Sequence, residues 1–298
     1  MSQKVIAPIN PRVLAWARME SGYDLEMAAD RLKMKPERLA EWEQENSTEF
    51  PTLRQAEKLA KVYHRPLPVL FLNDPPADTP LGAEFRRLPG VQPGKESPEL
   101  RLALRTLRRR REIALMLMEE NEEPAPRFRL RANLGESSEA VGARIRDSLG
   151  ITMAEQRHWA DAYGVWRAWR DRAEGMGLLV FQVPYVPLRQ MRGISLLRAV
   201  LPVVGINSKD HPLARGFTLL HEIAHLMLVN GGDETVSINE RRKASEWSAV
   251  ERFADSVAAA TMMPRDAILA DDDILAHKGS AWADDEVKQL AWRYRVSP

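Results

Sequence analysis

Residues 215–228 read RGFTLLHEIAHLML. Within this apolar, helix-patterned run His221 and His225 stand four residues apart, so both imidazoles leave one helix face about one turn apart and can reach a single ion. Glu222 lies beside the first histidine rather than above it, where a carboxylate can take a proton from water without being a ligand itself. Accident is a poor explanation. Six histidines in 298 positions give roughly 0.1 such pairs by chance, and the added requirement for Glu lowers this to on the order of 0.01.

The chain has no cysteine, which excludes disulfides and thiolate zinc sites and leaves carboxylates or another histidine as the third ligand. His277 is one candidate. The helical stretch 241–263 offers Glu246, Glu251 and Asp255. Glu251 and Asp255 fall four apart on a face whose other members, Ala254, Ala258 and Met262, are apolar. Two carboxylates there suit a metal, with Glu251 as ligand and Asp255 holding a ligand imidazole N–H. Pairing of Glu251 with a neighbouring arginine is the alternative.

Working outward, residues 10–72 read as a bundle of short helices: NPRVLAWARMES with Asn10 as N-cap and Pro11 at the first helical position, DLEMAADRL, PERLAEWEQ, TLRQAEKLAKVYH and PLPVLFL. Two short helices across a brief turn within four or five are the outline of a helix-turn-helix domain. Residues 73–98, dense in Pro and Gly, read as an extended connector. A helical region follows from 99, in which Trp159, Ala162, Trp166, Trp169 and Ala173 form one core stripe ended by Gly175 and Gly177. Three short apolar strands are expected at LLVFQVP, GISLL and VLPVVGIN, before the His-Glu helix and more helices. The expected fold is α+β and mostly helical, divided into 1–75, a linker at 76–98, a helical connector region at 99–175 and a C-terminal domain with a small sheet at 176–298.

With 44% hydrophobic and 29% charged residues the composition is that of a soluble globular protein. No apolar run is long enough to cross a bilayer and the N-terminus lacks a signal-peptide pattern, so the cytoplasm is the expected location and no membrane partner is expected. A net charge of +1 gives no global pull toward nucleic acid. Locally, Lys33, Lys35 and Arg38 could meet DNA through the third helix, yet Glu37, Glu41, Glu43 and Glu45 crowd the same segment. Residues 1–75 hold eleven basic and eleven acidic side chains, so DNA binding and protein docking both remain open for this module. Arg101, Arg105 and Arg108 to Arg111 make the one strongly basic run, read as a DNA or acidic-partner contact or as solvated and ion-paired charge.

The strand and helix motifs RGISLLRAVLPVVGINSKDHPLARGFTLLHEIAHLML and VERFADSVAAATMMP resemble the ImmA/IrrE metallopeptidases, in the subgroup with an N-terminal XRE-type helix-turn-helix. The resemblance rests on Arg192 and Gly193, Pro202, Asn207, Arg215, Phe217, Thr218, His221, Glu222, His225, Glu251, Ala254 and Met263-Pro264. NPRVLAWARMESG, the stretch from WEQEN to NDPP, and EFRRLPG resemble the N-terminal half of that subgroup. The resemblance implies a zincin-like peptidase domain in which His221, His225 and Glu251 bind Zn2+ and Glu222 activates water. It also implies a substrate-aligning edge strand, assigned to Arg192, Gly193, Ile194 and Ser195. Tyr185, His211 and Arg215 are oxyanion candidates. The family has Asn where this chain has Asp255. The implied function is cleavage of a specific protein, such as a repressor or antitoxin, in stress response, mobile-element control or a toxin-antitoxin pair. DNA contact through residues 10–72 and a homodimer are compatible with it. The competing reading is a DNA-binding transcription regulator whose peptidase-like domain senses a ligand without turnover. EVKQLAWRYRVSP at the C-terminus resembles the opening of another helix-turn-helix-like segment.

Overall fold

The computed structural model describes residues 5–77, 96–230, 244–279 and 281–298. The chain divides into two compact units, one of residues 1–81 and 91–105, the other of residues 82–90 and 106–298.

In the first unit, α1 (Pro11–Glu20) starts at Asn10, whose side chain accepts from the Arg12 N–H, with Pro11 fixing the first turn. Asp24 caps α2 (Leu25–Leu32), and Lys33, at φ 56, turns the chain into α3 (Pro36–Trp42). A capping box between Thr52 and Gln55 opens α4 (Leu53–Val62). PLPVLFL forms a 3-10 turn at Leu67–Phe71 rather than an α-helix. Leu14, Ala17, Leu39, Trp42, Leu59 and Tyr63 fill the core between these elements. Arg18 grips Glu43 through two bonds of 2.8 Å, tying α1 to the end of α3. Most of the expected connector, residues 78–95, lies outside the described residues.

The second unit is built around a mixed three-stranded sheet, β1 (Leu179–Val183), β2 (Gly193–Leu196) and β3 (Val203–Asn207), in the order β1-β3-β2. β3 pairs in parallel with β1, Leu179 facing Val203, and antiparallel with β2, Gly193 facing Ile206. Helix α5 (Pro98–Glu120) ends in this unit, followed by α6 (Ser138–Leu149), α7 (Met153–His158) and α8 (Ala162–Gly175) before the sheet. After it come α9 (Pro212–Asn230), α10 (Ala244–Met262), α11 (Arg265–Leu269), α12 (Asp272–Ala276) and α13 (Asp284–Arg293). Val141 and Ile145 of α6 and Trp166 and Trp169 of α8 share one core with Leu219, Leu220 and Ile223 of α9 and with Val257 and Ala258 of α10. Helices α6 and α8, within the region 99–175, therefore share a core with the His-Glu helix.

The tryptophan stripe is interrupted. Asp161 caps α8 by accepting from the Gly164 N–H, so Trp159 lies before that helix and meets Trp169 edge-on, ring centroids 5.4 Å apart. The arginine run is largely consumed within the molecule. Arg101 pairs with Glu96 at 3.0 Å, Arg110 covers the Phe181 ring at 4.9 Å, and Arg111 donates to the carbonyls of Leu201 and Val200 at 2.9 Å. Little of it is left as a basic patch.

The C-terminal helix is part of the second core, through Ala291, Tyr294 and Val296. Its anchor is the buried Asp271, which accepts from the Tyr294 hydroxyl (3.0 Å), Arg293 (2.7 Å), Arg157 (3.2 Å) and the Asp273 N–H (3.2 Å). Burial by itself raises the Asp271 pKa, but these donors and cations together hold it below the ordinary carboxylate value. A depressed folded pKa means stability that is present above the unfolded value, about 3.9, and lost as pH falls through the folded one. We expect Asp271→Asn to cost about 1–3 kcal/mol at neutral pH, and to flatten the acid limb of a thermal-unfolding series. An unchanged acid limb would show that Asp271 does not set it.

Candidate metal centre

α9 begins with Pro212 at its first position and is buried along nearly its whole length, through Leu219, Leu220, Ile223, Ala224, Leu226, Met227 and Leu228. That burial is what fixes the rotation of the helix and hence the direction of the two histidines. α10 packs beside α9 through Val250, Ala254, Val257 and Ala258, and Glu251 and Asp255 flank that apolar seam.

The Nε2 atoms of His221 and His225 lie 3.0 Å apart. Glu251 Oε2 is 3.4 Å from His221 Nε2, and Oε1 is 3.5 Å from His225 Nε2. One ligand atom from each of these three residues falls within 4.8 Å of the others. Zinc bonds of about 2.0–2.1 Å in tetrahedral geometry separate ligand atoms by about 3.3–3.4 Å. The 3.0 Å between the imidazoles and the 3.4 and 3.5 Å contacts, one from each Glu251 oxygen, lie near that spacing, and the two-imidazole, one-carboxylate donor set is one zinc uses in catalytic sites. The residues fit the ion.

His221 Nδ1 is 2.9 Å from Asp255 Oδ1. A carboxylate only accepts, so Nδ1 carries the proton and Nε2 keeps its lone pair toward Glu251 and His225. Loss of such a partner typically costs 10–100-fold in metal affinity. For Asp255→Ala we expect a loss of about that size, read by chelator competition, and Asp255→Asn should recover most of it because an amide oxygen still accepts. Equal affinity in all three proteins would remove Asp255 from the site.

Glu222, also on α9, is fully buried. Its Oε2 accepts from the Ser195 hydroxyl at 2.7 Å, with Ser195 buried as well. Gly193 lies against the same carboxylate: a Cβ there would come within 2.4 Å of Thr218 Cγ2 and 3.0 Å of Glu222 Oε1. Only a residue without a side chain lets β2 approach α9 this closely. Ile194 is buried, while Arg192 is exposed and pairs with Asp210 at 2.8 Å. The stretch assigned to substrate alignment thus forms an outer strand in which Gly193 and Ser195 face the carboxylate of α9.

The other sequence candidates lie elsewhere. Arg215 is spent on the carbonyls of Asp210 (2.9 Å) and Ser208 (2.6 Å) and on Gln182 Oε1 (3.0 Å). His211 Nδ1 accepts from the Leu213 N–H at 3.3 Å, and Tyr185, at φ 72, is exposed. His277 stacks on Trp282 with centroids 3.8 Å apart and is not in the ligand cluster found among the described residues, and the Glu246 side chain lies outside the described residues. In the first unit Lys33, Lys35 and Arg38 are exposed around the α2–α3 turn, together with Glu37 and Glu41, and the Arg38 guanidinium lies 5.3 Å from the Trp42 ring centroid.

A buried carboxylate beside two histidines and a third acidic ligand is the constellation of a metallopeptidase. Residues 178–298 match the family model described as Peptidase_M78, the IrrE N-terminal-like domain, and this part of the chain is similar to ImmA/IrrE-type metallopeptidases. The chain is also similar to the "Radiation response metalloprotease IrrE" of Deinococcus deserti, with 31% identity over 137 residues, 44% of this chain and 46% of that protein. The similarity thus spans less than half the length of this curated relative. No described helix is long and apolar enough to cross a membrane.

Proposed function

We propose that this chain is a zinc-dependent endopeptidase of a regulatory system, cleaving a specific protein such as a transcriptional repressor or an antitoxin. The observation that carries the proposal is the convergence of His221, His225 and Glu251 beside a buried Glu222. Zinc held by those three residues supplies a Lewis acid that polarises the scissile carbonyl and lowers the pKa of water. Glu222 takes a proton from the attacking water and passes it to the departing amide nitrogen. Ser195 holds one oxygen of that carboxylate, which keeps the base in a single orientation while its remaining lone pairs receive the proton. The outer strand β2 offers a backbone edge along which an extended substrate could align.

The bundle of residues 10–72 acts as the targeting module, toward DNA through Lys33, Lys35 and Arg38 or toward a protein partner. A stress-response setting is supported by the similarity to the radiation response metalloprotease of Deinococcus deserti, and the cytoplasm suits a substrate of this kind. The test is elemental analysis of the purified chain, followed by incubation with a small repressor-like protein encoded beside it. About one zinc per chain and defined cleavage products support the reading. A chain that remains metal-free after zinc loading removes it and leaves a binding protein.

A further inference from the structure

α5 carries an exposed seam that matches itself. In its last three turns Arg111, Ala114, Leu115 and Met118 are half-buried, whereas Arg109, Glu112, Ile113, Met116, Leu117 and Glu120 are exposed. Ile113, Met116 and Leu117 are 37%, 49% and 48% exposed, an unusual state for three large apolar side chains on one stripe. Arg109, Ile113, Met116 and Glu120 recur at spacings of four, three and four, the alternation that keeps side chains on a single coiled-coil seam. The seam is polarised, with Arg109 at one end, Glu120 at the other and the apolar residues between. The Arg109 side chain is 70% exposed and its contact with Glu112 is a loose 3.4 Å, an exposed pair of little energetic weight.

We propose that this face of α5 is the interface with a second copy of this chain, the two helices lying antiparallel about a two-fold axis between Ala114 and Leu115. In that register Ile113 meets Met116 of the second copy and Met116 meets its Ile113. Arg109 faces Glu120 at both ends of the apolar segment. Reciprocity of this kind is what a two-fold interface demands, since each residue must complement a different residue of the same helix. A parallel pairing would set Arg109 against Arg109 and Glu120 against Glu120. An unrelated partner would give no reason for the two charges to sit at equal distances from the apolar centre.

The test uses the full chain in sedimentation velocity from about 1 to 100 µM, beside Ile113→Glu, Arg109→Glu, Glu120→Arg and the double exchange Arg109→Glu with Glu120→Arg. All three positions are exposed, and circular dichroism checks that each variant folds. The expected result is a wild-type dimer, at least about tenfold weaker association in each single variant, and recovery in the double exchange. A wild type that is monomeric throughout, or a dimer indifferent to all four variants, overturns the proposal. Weakening without recovery in the double exchange overturns the antiparallel register and with it the self-complementarity argued here.

Discussion

Glu222→Gln is expected to lower peptide-bond hydrolysis by about 10²–10⁴-fold, the range for removing a general acid-base group. Glutamine has nearly the shape of glutamate, and its amide oxygen can still accept from Ser195, so the substitution leaves no cavity in this fully buried position. It removes only the ability to take a proton. Zinc content and thermal midpoint should therefore match the wild type while kcat/KM falls. Cleavage at the wild-type rate by the Gln variant would mean that the carboxylate is not the base, whatever its position.

The second large effect belongs to Glu251→Ala. The variant leaves two imidazoles whose Nε2 atoms face one another at 3.0 Å, with no carboxylate at 3.4 and 3.5 Å to complete the set. Loss of a supporting partner costs 10–100-fold in affinity; loss of a ligand should exceed the upper end, more than about 10²-fold. In chelator competition the variant should give up its zinc where Asp255→Ala still retains part of it. Full zinc occupancy in Glu251→Ala would assign Glu251 to the ion-pair role that the sequence also allows, and the third ligand would have to be sought elsewhere.

The centre was legible in the sequence because its information is local. His221, Glu222 and His225 share one helical turn, and Glu251 stood out as a carboxylate on an apolar helix face. The Ser195 to Glu222 bond was not legible, since it depends on how closely β2 packs on α9. Gly193, opposite Thr218 and Glu222, is the residue that permits it. Arg215 is an oxyanion candidate in the sequence, but three loop and strand acceptors claim it. The tryptophan stripe does pack into the core, but its helix begins only after Trp159, and an acidic N-cap ahead of Ala162 is the signal for that boundary. The arginine run follows the solvated and ion-paired reading in part, through Arg101 with Glu96 and Arg109 with Glu112; charge counting along a helix does not reveal which guanidinium groups find carbonyls or rings in the folded unit.

Gly142 of α6 rests against the backbone of α10, where a Cβ would come within 2.9 Å of Thr261 N and 3.0 Å of the Ala260 carbonyl carbon. Arg146, one turn further on, donates to the Thr261 carbonyl at 2.8 Å. The helix that presents Glu251 is thereby held from behind by residues that precede the matched stretch 178–298. The stretch that matches the family model is consequently shorter than the piece of chain that packs around its proposed ligands. A fragment begun at residue 178 would carry every proposed ligand and yet lack the wall that α6 builds behind one of them, so the inheritable motif and the mechanical part are different lengths of polypeptide.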